Sequence, residues 1–117
     1  MPRLIGKIKL RNTYYLWDEQ RSYYRLEPFK DNAWRPQDRY PQKVLKKDVV
    51  AAKQILSGRH VTVKDFMLIV TTHPSCFSLR NLGYKFQFKC QNLLVSLVCL
   101  GLAKVRKQGR RFIYQIV

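Results

Sequence analysis

The sequence predicts an α+β fold in which a small antiparallel β-sheet precedes a mainly helical region. Near the N-terminus, apolar and polar residues alternate, as they do in strands with one buried face. From about residue 48 to residue 100, apolar residues repeat at helical spacing. From residue 103 onward the sequence alternates again around a glycine-containing turn, which is typical of a β-hairpin. The chain of 117 residues is long enough for one substantial core.

The N-terminal region contains three short segments with strand-like patterns, at Leu4–Leu10, Thr13–Trp17 and Ser22–Leu26. Polar turns join them, and a polar, proline-containing stretch follows up to residue 42. Aromatic and branched residues are common in the three segments, which favours strands. We therefore expect residues 1–42 to form a β meander with a connecting loop, and residues 43–117 to form the second region.

Two helices are predicted at the start of that second region. Asp48 is expected to cap the first, and Ser57-Gly58 is expected to end it. The second opens with Thr62-x-x-Asp65, a variant of the capping box, and ends at His73-Pro74 because proline disfavours helix in the preceding residue. The second segment is also rich in branched residues, so a strand is an alternative there.

The longest predicted helix lies closer to the C-terminus. A short helix is expected at Ser78–Gly83, a tight turn at Tyr84–Phe86, and the long helix from about Gln87 to Leu100. Its core stripe follows helical spacing and comprises Phe86, Cys90, Leu93, Leu94, Leu97 and Val98.

A hairpin with a cationic tip ends the sequence. Its predicted arms are Ala103–Lys107 and Arg111–Val117, joined by a turn at Gln108–Arg110. Every charged residue of the hairpin is positive, whereas a hairpin whose charges only protect an exposed edge is expected to carry both signs. The sequence therefore predicts that this hairpin contacts phosphate.

The charge distribution also predicts a polyanionic partner. The net charge is +16, from 23 Lys and Arg against 7 Asp and Glu. No carboxylate follows Asp65, so the rest of the chain projects a positive field that favours nucleic acid or an anionic membrane. The apolar run at Leu93–Ala103 is about half the ~20 residues that a membrane span requires. The N-terminus lacks a signal-peptide pattern, and the three cysteines lack CxxC spacing, so we expect a reduced cytoplasmic protein, nucleoid-associated if prokaryotic.

Three segments together resemble the winged helix-turn-helix superfamily of DNA-binding domains. They are Asp65–Ile69 with His73-Pro74 after it, Ser78–Gly83, and Leu97–Leu102 running into Arg110–Tyr114. The resemblance covers residues 62–117. It implies a winged helix domain behind an N-terminal antiparallel β extension, and a small basic transcriptional regulator that binds double-stranded DNA. Because the same fold serves many roles, the function must be argued from the site.

The resemblance also implies two groups of DNA-binding residues. In the superfamily the long helix lies in the major groove and the wing lies against phosphates or the minor groove. The recognition-helix candidates are Lys85, Gln87, Lys89, Gln91 and Asn92. The wing candidates are Lys104, Arg106, Lys107, Arg110 and Arg111. The alternative for the helix residues is a solvated face with no ligand.

Three apolar residues lie on the side of the long helix opposite its core stripe: Phe88, Val95 and Cys99. Apolar residues on both sides of a helix imply that both sides are covered. The cover is either the N-terminal meander or a second subunit, and we favour a homodimer, since regulators that read paired half-sites are commonly dimeric.

Other functions remain open at this stage. Aromatic residues interleaved with arginines in the N-terminal region, such as Tyr15, Trp17 and Arg25, are typical of sheets that stack single-stranded bases, so RNA or single-stranded binding is one alternative. A protein-interaction module is another. No HExxH, GxxxxGK or nucleophile-elbow motif is present, so we do not expect an enzyme. His73-x-x-Cys76 has no second chelating pair, so neither a metal nor another cofactor is expected.

Overall fold

A computed structural model describes residues 2–30, 42–79 and 84–117. These residues form a mixed α+β fold with three helices and two antiparallel sheets, so the predicted class is confirmed. In chain order the elements are β1 Arg3–Lys9, β2 Asn12–Asp18, β3 Tyr23–Lys30, β4 Gln42–Leu45, α1 Lys46–Leu56, β5 His60–Val61, α2 Val63–Thr72, α3 Tyr84–Cys99, β6 Ala103–Gln108 and β7 Arg111–Ile116.

The N-terminal sheet has four antiparallel strands in the order β1-β2-β3-β4. Its inner face buries Tyr14, Leu16, Leu26 and Val44, and Leu16 lies directly opposite Leu26. The three predicted strands are confirmed. The fourth, β4, was not predicted because it is short, and only one of its four residues is fully buried.

The second sheet has the order β5-β7-β6 and includes the predicted C-terminal hairpin. Gln108 pairs with Arg111, which leaves Gly109 and Arg110 as a two-residue turn. Gly109 has a φ of +63°, a conformation that glycine adopts without steric cost. The third strand, β5, contains two residues and carried no periodic signal that sequence reasoning could use.

The first two helices differ in how their N-termini are stabilised. Helix α1 begins before Asp48, so the prediction that Asp48 caps it is wrong. Asp48 is instead buried in the first turn, where its Oδ1 accepts a hydrogen bond of 2.8 Å from the Ser78 backbone N–H. Helix α2 has the predicted capping box: Thr62 Oγ1 accepts from the Asp65 N–H, and Asp65 Oδ2 accepts from the Thr62 N–H. The strand alternative for this segment is therefore wrong.

Helix α3 begins at Tyr84, so the predicted tight turn at Tyr84–Phe86 is wrong and these residues form the first turn of the helix. At the other end, Gly101 donates to Val98 and Leu102 donates to Leu97, the two hydrogen bonds of a Schellman motif. The predicted helix at Ser78–Gly83 lies mostly outside the described residues; Ser78 and Leu79 have no regular structure.

One hydrophobic core joins the two predicted regions, because α3 packs against both sheets. Residues 93–97 are all buried. The backbone of β1 approaches the C-terminal end of α3 so closely that a Cβ at Gly6 would lie 2.3 Å from the Cys99 carbonyl oxygen. Strand β4 pairs with β3, so the N-terminal sheet extends to Leu45, beyond residue 42 where the predicted first region ends.

Candidate nucleic-acid interface

A groove of about 910 Å³ lies between the first turns of α3, the β6–β7 hairpin and the turn that joins β1 to β2. We call it the α3 groove. All five residues predicted for the recognition helix line it: Lys85, Gln87, Lys89, Gln91 and Asn92. The structure therefore brings that group together on one concave surface.

The five helix residues are not equally accessible. Lys85, Gln87 and Lys89 are exposed, whereas Gln91 and Asn92 are partly buried where the N-terminal sheet approaches the helix. The Gln91 side-chain amide lies 3.4 Å from the Tyr14 hydroxyl and donates to it. Lys85, Gln87 and Lys89 thus face solvent. Gln91, further along the helix, already contacts the N-terminal sheet.

The five predicted wing residues separate into two sets. Arg110, in the hairpin turn, and Arg111, at the start of β7, line the α3 groove. The other three lie on β6 outside the groove, and all of them are exposed: Lys104, Arg106 and Lys107. Side chains alternate between the faces of a strand, so Lys104 and Arg106 share one face and Lys107 lies on the other.

Two further bases of the groove were missed by sequence reasoning, Arg11 and Lys64. Arg11 lies in the turn between β1 and β2, and its Nη2 donates a hydrogen bond of 2.9 Å to the Arg110 carbonyl oxygen. Its guanidinium carbon lies 5.9 Å from the centroid of the Phe112 ring. No local pattern in the sequence indicates that this turn reaches the hairpin tip, because the two are 99 residues apart in the chain.

The α3 groove has a strongly positive lining. Among the described residues, six bases line it, Arg11, Lys64, Lys85, Lys89, Arg110 and Arg111, and no carboxylate does. Within the described part of the chain, none of the six forms an ion pair. A concave surface lined by one sign of charge concentrates field lines and attracts ions of the opposite charge.

In the N-terminal sheet, by contrast, several basic side chains form ion pairs with carboxylates. Lys46 Nζ lies 3.0 Å from Asp18 Oδ1, and Arg25 Nε lies 3.0 Å from Glu19 Oε1. Hydrogen bonds to the Asp18 carboxylate from the Gln20 backbone N–H and from Lys46 lower its pKa, so it remains ionised and paired at neutral pH. Several bases of this sheet therefore have carboxylate partners, which the groove bases lack within the described ranges.

The apolar set predicted on the outer side of α3 is divided by the structure. Val95 is completely buried within the chain and Cys99 is partly buried, and the backbone of β1 at Gly6 lies against the Cys99 backbone. Phe88 is 57% exposed and lines the groove. The homodimer prediction rested on a need to cover all three residues, so Val95 and Cys99 no longer support it.

The two cysteines of α3 are poor candidates for a reactive site. Burial raises the pKa of Cys90 to about 12 and that of Cys99 to about 11, so both thiols stay protonated and weakly nucleophilic at neutral pH. In residues 2–30, 42–79 and 84–117, no three His, Cys, Asp or Glu side chains are grouped so that they could hold a metal ion. No helix in the same ranges is long and apolar enough to cross a membrane.

The function has to be argued from this site alone. Comparison with protein-family models, with curated proteins and with solved structures finds no match for the chain. The described residues of the site offer a concave surface with six cations that form no ion pair, amide side chains that can hydrogen-bond, and the exposed ring of Phe88.

Proposed function

We propose that this protein binds double-stranded DNA through a winged helix-turn-helix domain, as a small basic transcriptional regulator. The α3 groove and the β6–β7 hairpin form the binding surface. The observation that carries the proposal is that, in residues 2–30, 42–79 and 84–117, six bases and no carboxylate line the groove, next to a hairpin with three more exposed bases. A duplex has a high linear density of phosphate, so it is the polyanion that gains most from such a surface.

The order of elements supports the winged helix assignment. Helix α2 is followed by α3, and the β6–β7 hairpin follows α3 directly. In helix-turn-helix proteins the second helix of the pair contacts base edges with its N-terminal residues. Lys85, Gln87 and Lys89 are the exposed polar residues of that part of α3. Lysine can bond to guanine and glutamine to adenine in the major groove.

A second candidate is binding of RNA or single-stranded DNA on the outer face of the N-terminal sheet. Tyr14 and Leu16 point into the core, so the alternating Tyr15 and Trp17 lie on the outer face. Lys7 Nζ lies 5.5 Å from the Tyr15 ring centroid, and the Arg25 guanidinium carbon lies 5.6 Å from that of Trp17. Stacking a base on these rings would displace cations that the protein already holds there, so we place duplex binding first.

A direct comparison of ligands tests the proposal. Fluorescence anisotropy is measured with a blunt duplex, with one of its single strands and with an RNA of the same sequence, all at one salt concentration. We expect the duplex to bind most tightly, because counterion release per phosphate is larger for a duplex than for a single strand. Tighter binding of the single strand or the RNA, abolished by Trp17→Ala, would instead favour the outer face of the sheet. Absence of duplex binding would refute the proposal.

A further inference from the structure

Phe88 is an exposed aromatic residue at the solvent side of α3, inside a groove lined by cations. Its neighbours two positions away, Phe86 and Cys90, are buried, whereas Phe88 is 57% exposed. Lys85 and Lys89 flank it on the helix surface, and Arg111 lines the groove with it. A single exposed apolar residue is ordinary on a protein surface. An aromatic ring among phosphate-binding groups, however, is the combination that binds unpaired bases.

The β1–β2 turn and the tip of the hairpin both border the α3 groove. The hydrogen bond from Arg11 to the Arg110 carbonyl oxygen joins these two elements. The groove volume of about 910 Å³ is in the range of sites that hold small organic ligands. The first turns of α3 line this concave surface, which can also hold a nucleotide without a pairing partner.

We propose that the α3 groove binds unpaired bases next to the duplex, with Phe88 as the stacking surface. The preferred ligand is then a junction, in which the outer wing bases hold duplex phosphates and the groove bases hold the phosphates of a single-stranded tail. This inference rests on the proposed function, because the hairpin bases hold the duplex as proposed there. At a junction, the first turns of α3 contact the unpaired tail in place of the major groove. Stacking is tolerant of base identity, so Phe88 recognises the unpaired state and not the sequence.

The experiment compares three probes at fixed salt: a blunt duplex, the same duplex with a tail of about six unpaired nucleotides, and the tail alone. We expect the wild-type protein to bind the tailed duplex about tenfold more tightly than the blunt duplex, since one stacked base contributes between about fivefold and 100-fold. Phe88→Ala should reduce the ratio of the two affinities to near one. Phe88→Trp should keep it.

Leu68→Ala is the matched control. Leu68 is also an exposed apolar side chain on a helix, 64% exposed on α2, and it does not line the groove. Its replacement should leave the ratio as in the wild type. A 2-aminopurine at the first unpaired position adds a direct readout: stacking on Phe88 quenches its fluorescence, and Phe88→Leu, which keeps an apolar side chain but removes the ring, should restore it.

The outcomes separate this inference from the proposed function. Equal, salt-dependent binding of blunt and tailed duplex would overturn the stacking role and leave duplex binding intact. Absence of binding to both would overturn both proposals. A third outcome is that Phe88→Ala weakens binding to the blunt duplex, and that replacing thymine by uracil in the duplex weakens binding of the wild-type protein by the same factor. Phe88 then contacts a thymine methyl group in the major groove, and the junction proposal is wrong.

Discussion

The two ends of α3 have opposite environments although they belong to one continuous helix. In its first turns, Lys85, Phe88 and Lys89 are exposed and line a positively charged groove. From Leu93 to Leu97, every residue is buried. The second part of the helix lies in the core, and its C-terminal end is approached by the backbone of β1 at Gly6.

This contrast shows that a stripe of apolar residues on a helix need not have one role. Phe88 and Val95 lie on the same side of α3, two turns apart. Val95 is completely buried in the core, whereas Phe88 is 57% exposed and remains available to a ligand. The candidate interface therefore begins where the residues of α3 become exposed.

The strongest test of this contrast is Val95→Glu. We expect the variant to lose about 4 kcal/mol or more of its free energy of unfolding, since a carboxylate would be buried with no partner. Thermal unfolding followed by circular dichroism should show a chain that is unfolded or aggregated. Phe88→Glu is the control on the exposed part of the helix and should fold normally. If Val95→Glu unfolds like the wild type, then the second part of α3 is not covered as described.

The next largest effect is expected at Arg110 and Arg111, the two hairpin bases that line the α3 groove. Arg110→Ala with Arg111→Ala should weaken binding to all duplexes roughly tenfold per lost phosphate contact at 0.1 M salt. Phosphate contacts carry no sequence information, so the preference among sites should not change. The control removes two cations from the outer face of the N-terminal sheet, Lys7→Ala with Lys43→Ala. An equal loss of affinity in the control would mean that net charge, and not the groove, drives binding.

Asn92→Ala tests whether the groove floor reads bases. Loss of one bidentate base contact should reduce the preference for the best site by about 1–3 kcal/mol, with little change in nonspecific affinity. Sequencing of duplexes selected from a random pool measures this preference. An unchanged preference in Asn92→Ala, together with a changed one in the wing variant, would reverse the roles that we assign to helix and wing.

A smaller effect concerns the segment that leads towards the exposed turns of α3. Asp48→Ala removes the acceptor for the Ser78 N–H, so a partly buried donor loses its partner. We expect a loss of about 1–3 kcal/mol in the free energy of unfolding. Asp48→Asn keeps an acceptor oxygen and should lose less. Denaturant titration distinguishes the two variants, and equal stability of Asp48→Ala and the wild type would show that this hydrogen bond contributes nothing.

Much of the fold could be predicted from the sequence because its signals are local. The capping box at Thr62 and Asp65, the glycine in the hairpin turn and the alternation in β2 depend on neighbouring residues. The predictions failed where contacts between distant parts of the chain determine the local structure. Aspartate is a common helix cap, yet Asp48 lies in the first turn of α1. Its carboxylate there accepts a hydrogen bond from the backbone of Ser78, 30 residues away. The two-residue strand β5 exists only because β7 pairs with it.

The candidate site was predicted only in part, because some of its residues are neighbours in the sequence and others are brought there by tertiary contacts. The α3 residues from Lys85 to Asn92 share the first turns of one helix, so a helical pattern is sufficient to group them. Arg11 and Lys64 join them through contacts between distant elements, which no local pattern reveals. The cover on Val95 is equally nonlocal, and this is why the sequence left a second subunit and the meander as alternatives.

The salt dependence of duplex binding tests the central claim most directly. If the helix and wing cations together neutralise about six phosphates, a plot of log affinity against log salt concentration should have a slope near −5. Anisotropy titrations of a blunt duplex at several salt concentrations give this slope. A value near −5 in the wild type, reduced in magnitude by about two in the Arg110→Ala and Arg111→Ala double variant, is the predicted result. A wild-type slope shallower than about −2 would contradict the account, because the unpaired cations would then not be contacting phosphate.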